Sequence, residues 1–196
     1  MQGDWQKSEI SNLQYALSSI TDKVGQSNFR RMFDKTRVMR MSQYQSNGDN
    51  GFDAWTTMIG NEWVVQIFSN FWKRETFLDR TFLLVHEFGH IWDARQDWRG
   101  SAAMQQVTDS SYVWGPIRGV CSPGWPYCNY AAGPEVTSGV TPPLFPPANA
   151  VEDFAQSFAL YVMQDRVSNH RVYSHIYTTE QLMLRWSVIG LLLAPQ

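Results

Sequence analysis

Charge is scarce in this sequence: 17% of its 196 residues are Asp, Glu, Lys or Arg, against about a quarter in an average soluble domain. With 43% hydrophobic and 14% aromatic residues, a chain held open by its own repulsion is excluded. The charges nearly cancel, 16 basic against 18 acidic side chains leaving −2, and no basic block stands out. Nucleic-acid binding through neutralised phosphates is therefore not expected. Long apolar runs are also missing. The longest, at 188–194, is far short of the roughly 20 residues a membrane-spanning helix needs. No transmembrane segment is expected. The start, Met1-Gln2-Gly3-Asp4-Trp5, lacks a basic stretch followed by an apolar one, so no signal peptide is expected there. The compartment stays open, with a secreted or exported protein the favoured reading.

Cysteine is nearly absent too. Cys121 and Cys128 flank a Pro-Gly turn in Cys-Ser-Pro-Gly-Trp-Pro-Tyr-Cys. A local disulfide and two reduced, packed thiols both fit that gap, whereas a zinc-binding Cys-x-x-Cys pair does not. The length suits one domain with a real core, residues 1–196, expected as a monomer.

Along that domain, Ile10, Leu13, Leu17, Ile20 and Val24 step by three and four, which predicts a helix. Ser8 is its expected cap and Gly25 its left-handed stop. Further helical turns are expected over 28–35, then a strand over 37–41 with one buried face. The runs 55–59 and 63–68, joined by Gly60-Asn61, predict a hairpin. Its second strand could offer an edge to an extended peptide. Helices are expected over 79–94, 101–107 and from Val151 onward. A last helix follows the Thr178 to Gln181 capping box. Between them, 110–149 holds every proline but Pro195, with Trp114, Trp125, Tyr127 and Tyr130 interspersed. This long irregular loop reads as functional or mobile.

The chemistry sits in the 79–94 helix. His86-Glu87-Phe88-Gly89-His90 is a His-Glu-x-x-His pattern. On a helix the two imidazoles lie one turn apart on one face and can converge on a cation. Glu87 then lies beside the metal, where it can take a proton from a bound water and pass it to a leaving amine. Leu84, Val85, Phe88, Ile91 and Trp92 form the apolar face that anchors the helix. Gly89 in mid-helix suggests close approach of another element.

A catalytic zinc needs a third protein ligand and an open position. The metzincin pattern would continue with Gly at 93 and His or Asp at 96, but those positions are Asp93 and Gln96. That class is excluded. The remaining acidic candidates are Asp93, Asp97, Asp109, Glu135, Glu152, Asp153, Asp165 and Glu180. Glu152 is the best of them, because it opens an amphipathic helix and shares a face with Gln156. The plainer alternative is that Glu152 and Asp153 complement the positive end of that helix, which is the role expected for Asp153. Asp93, one turn after His90, is either a partner of a ligand imidazole or a solvated helix end.

His86-Glu87-Phe88-Gly89-His90 together with Glu152-Asp153-Phe154-Ala155-Gln156-Ser157-Phe158 resembles the gluzincin-type zinc metallopeptidases, most in the style of the anthrax lethal factor-like peptidases. The likeness is specific over two helices and loose elsewhere. It implies one zinc ion held by His86, His90 and Glu152, with Glu87 as general base. Two departures stand out. Gln156 occupies a place often acidic in the family, and Phe145 one where lethal factor-like enzymes carry a tyrosine that helps the developing oxyanion. Either a loop tyrosine such as Tyr127 or Tyr130 replaces that tyrosine, or oxyanion help is weak.

His170 and His175 are poorly spaced for a second metal site and read as surface or packing residues. The expectation is thus a single α+β zincin-like domain, with a small twisted sheet and the His helix on one side of a cleft and the C-terminal helices on the other. The expected activity is zinc-dependent hydrolysis of a peptide bond, with a peptide or protein as substrate. A zinc hydrolase of a non-protein amide, of cell-wall type, and a catalytically weak, zinc-stabilised binding module are the alternatives.

Overall fold

The computed structural model describes residues 3–41, 54–73, 76–108, 150–167 and 179–194. The 110–149 loop with its cysteines, Tyr127, Tyr130 and Phe145, the His170/His175 pair and the Thr178 cap lie outside the described residues. The described residues form six α-helices and a small mixed sheet of three strands, an α+β arrangement. They fall into two compact units, Met1–Trp92 and Asp93–Gln196. None of the described helices is long and apolar enough to cross a membrane.

In the first unit, α1 (Lys7–Val24) buries Leu13, Ala16, Ile20 and Val24 along one side. It begins earlier than Ser8 would place it. Gln6 is the cap residue, and its backbone N–H donates to Glu9 Oε2 at 2.9 Å. The reason is tertiary. Glu9 is buried, and its carboxylate also accepts from Arg40 Nε at 2.9 and 3.0 Å, which ties the first turn to the strand carrying Arg40. Gly25 does take a positive φ of 82°, but with ψ at 151° it lies outside the left-handed helical region expected of a stop. One residue thereby closes α1, donating to the Thr21 carbonyl at 2.8 Å, and opens α2 (Gln26–Phe33) by accepting from the Phe29 N–H.

The strands β1 (Arg37–Arg40), β2 (Ala54–Ile59) and β3 (Glu62–Ile67) lie in the order β1-β3-β2. β2 and β3 are the expected hairpin. Ile59 pairs with Glu62 across Gly60-Asn61, and Gly60 supplies the φ of 63° that the two-residue turn needs. β1 runs parallel to β3, Val38 opposite Val65. β3 is thus the central strand and offers no free edge to a peptide, contrary to the sequence expectation. The adjacent residues Val64 and Val65 are both fully buried, so both faces of β3 are covered. In β1 the buried residue is Val38, while Met39 stays partly exposed.

A short 3-10 turn (Ser69–Lys73) leads to α3 (Phe77–Arg95), whose Leu84, Val85, Phe88 and Ile91 are buried. Phe88 meets Phe33 of α2 edge-on, with ring centres 5.2 Å apart. Asn12 of α1 donates to Thr81 Oγ1 at 2.7 Å, and Thr81 donates to the Phe77 carbonyl at 2.8 Å. This buried polar chain fixes the register of α1 on α3.

The second unit starts with the last turn of α3. The chain then reverses over Gln96 to Trp98. The Asp93 carbonyl accepts from Gln96 and Trp98 N–H at 3.0 and 2.9 Å, while Asp97 and Trp98 take φ of 56° and 62°. Next comes α4 (Arg99–Thr108), where the structure shows a close approach at a glycine. A Cβ on Gly100 would lie 2.4 Å from the Phe154 ring and 2.7 Å from Asp93 Oδ1. Phe154 belongs to α5 (Ala150–Val167), which is buried without a break from Asp153 to Leu160. α6 (Thr179–Leu193) contributes Val188 and Ile189 to the same core.

Candidate metal centre

α3 positions the His-Glu-x-x-His residues as its period requires. His86 and His90 stand one turn apart with their Nε2 atoms 3.1 Å from each other and their rings at 89°. Two nitrogens bound at about 2.0–2.1 Å to a tetrahedral metal would be roughly 3.3 Å apart, so the observed spacing suits a shared cation. His90 is buried at 5% exposure and His86 is half-buried.

Glu87 is buried at 8% exposure. Its Oε2 accepts from Thr56 Oγ1 at 2.7 Å, and the same hydroxyl lies 3.1 Å from the Glu87 backbone carbonyl. Thr56 was not legible as a site residue. It is the one buried position on β2, and it is polar. Alternation along β2 only says that Thr56 and Met58 share a face; which face meets α3 is a tertiary fact.

Glu152 is the third residue of α5 and half-buried. Among the described His, Cys, Asp and Glu side chains, His86, His90 and Glu152 form a set able to hold a metal ion, with one ligand atom of each within 4.8 Å of the others. Two imidazoles and one carboxylate are also the right chemistry, matching a donor set that zinc accepts while keeping a fourth position.

The other acidic candidates are differently engaged. Asp93 is not a solvated helix end: it is fully buried, and its carboxylate accepts from the Ser101 N–H at 3.0 Å and from the Ser101 hydroxyl. It clamps the start of α4. Asp153 does far more than complement a helix end. Its two oxygens take a bidentate pair of hydrogen bonds from Arg185 of α6 at 2.9 and 3.0 Å, plus one from Ser157 at 3.2 Å. Both members of this ion pair are at most 1% exposed. The clue in the sequence was Arg185 itself, a lone cation in an otherwise apolar helical window, which needs a buried counter-charge. Asp97 sits in the α3–α4 turn and Asp165 is exposed near the end of α5. Asp109, Glu135 and the Glu180 side chain lie outside the described residues. Gln156 is buried at 7% exposure, and its side chain makes no hydrogen bond to another described residue.

No protein-family model matches the chain, and no curated protein or solved structure is significantly similar to it.

Proposed function

We propose that this protein is a zinc-dependent metallopeptidase of the zincin type, holding one zinc ion through His86, His90 and Glu152 and using Glu87 as general base. The observation that carries the reading is the pair of imidazole nitrogens 3.1 Å apart on one helix. The buried Glu87 lies in the same turn, and a carboxylate from Glu152 would complete the donor set. Lone pairs that close repel each other unless a proton or a cation lies between them.

Zinc, when bound, would polarise a substrate carbonyl and bring the pKa of its water to about 7. The remaining work belongs to the chain. His86 and His90 hold their ring nitrogens on a rigid helix whose opposite face is locked in the core, so little reorganisation is needed on binding. Glu87 carries a carboxylate that accepts a proton and returns it to the departing amine, converting a poor leaving group into a neutral one.

The test is elemental analysis of the purified chain followed by cleavage of a mixed peptide library. One zinc per chain is expected, lost in Glu152→Ala and in His90→Ala but kept in Asp165→Ala. Glu87→Gln should keep the zinc and lose cleavage. A zinc-loaded protein that cleaves a cell-wall amide and no peptide would move the assignment to the non-protein hydrolase. Zinc without any hydrolysis would leave a zinc-stabilised binding module, and absence of zinc would end the metal reading altogether.

A further inference from the structure

We infer that Thr56 is the positioning residue for Glu87: its hydroxyl holds Oε2, so that Oε1 is the oxygen presented for proton transfer. The inference rests on the metallopeptidase reading and names a part of it that the motif does not contain.

A carboxylate at the end of a glutamate side chain has three torsions and two equivalent oxygens, so its reactive geometry has to be imposed from outside. Here that constraint comes from β2. A threonine hydroxyl carries one proton, and the shorter of its two contacts is the 2.7 Å bond to Oε2 rather than the 3.1 Å approach to the Glu87 carbonyl. Hydrogen bonds to ionised acceptors are the shorter and stronger kind. Oε1 has no donor among the described residues. β2 lies at the side of the sheet, Thr56 is its single buried residue at 5% exposure, and an aliphatic side chain would serve burial better. Threonine also suits the task mechanically, because its branched Cβ restricts χ1 and the strand backbone fixes its direction. A base that is held before substrate arrives loses less freedom in the transition state, and misplacement by about 1 Å can cost on the order of a hundredfold in rate.

The experiment compares wild type, Thr56→Val, which keeps the shape but removes the hydroxyl, and Thr56→Ser, which keeps the hydroxyl. The zinc-loaded chains are assayed on a peptide that wild type cleaves. In Thr56→Val we expect one zinc per chain, KM within about twofold and kcat reduced at least about tenfold. In Thr56→Ser we expect kcat within about threefold of wild type. A second readout needs no activity: urea midpoints of the metal-free chain. Thr56→Val should lower the midpoint more in the native background than in Glu87→Ala. If Thr56→Val leaves kcat unchanged, or raises only KM, while Glu87→Gln abolishes cleavage, Thr56 does not position the base and the metallopeptidase reading stands. If zinc-loaded wild type cleaves no peptide, both the reading and this role of Thr56 fall, whatever the metal-free coupling shows about the contact.

Discussion

Breaking the ion pair between Asp153 and Arg185 should be among the most damaging single changes in the second unit. The pair is bidentate, with Nε and Nη2 of Arg185 at 2.9 and 3.0 Å from the two Asp153 oxygens, and both side chains are at most 1% exposed. Asp153→Asn would leave the guanidinium buried without its counter-charge. Arg185→Met would leave the buried carboxylate without its cation, with the Ser157 hydroxyl still donating to it. Removing either partner of such a buried pair costs about 3–5 kcal/mol, because the penalty is the lost hydration of the charge left behind and not the modest net value of the pair. Domains of this kind have about 5–15 kcal/mol to lose. With a urea slope of about 2 kcal/mol per molar, each single change should lower the unfolding midpoint by about 1.5–2.5 M. The double variant Asp153→Leu with Arg185→Met removes both charges and should recover much of the loss. The assay is urea unfolding followed by circular dichroism, run as a double-mutant cycle at low and high salt. Salt should matter little, since a fully buried pair is poorly screened. Single losses below about 1 kcal/mol, or losses that simply add in the double variant, would refute the reasoning.

Zinc should stabilise the native chain in proportion to occupancy: free metal at 100 times its dissociation constant gives about 2.7 kcal/mol, and a melting temperature indifferent to zinc would count against the site. Gly100→Ala should cost about 1–3 kcal/mol, because the new methyl would sit 2.4 Å from the Phe154 ring inside a packed interface; an unchanged urea midpoint would show that α4 can shift freely. Asp97, at φ 56°, should tolerate Gly but not Val. The β-branched residue is expected to lose about 1–2 kcal/mol in thermal unfolding, and equal melting temperatures would mean that the α3–α4 turn rearranges.

The sequence by itself determined what depends on neighbours along the chain. The His86/His90 pair is an i, i+4 relation, so forming α3 was enough to bring the ring nitrogens to 3.1 Å. The same local logic gave α1, the β2–β3 hairpin with its Gly60-Asn61 turn, and α5 opening just before Glu152. Tertiary structure decided whatever joins residues far apart in the chain. Thr56 reaches Glu87 from 31 positions away and Arg185 reaches Asp153 from 32, and no periodicity encodes either partner. Local signals misled where a distant partner outweighed them. Glu9 follows Arg40 and draws the start of α1 back from Ser8 to Gln6, Asp93 turns inward to Ser101, and β3 takes the middle of the sheet because β1 pairs on its far side. The motif is local because one helix turn suffices to aim two imidazoles. The groups that hold its carboxylate and pin the helix of Glu152 are nonlocal, because a buried charge takes its partner from whichever element packs against it.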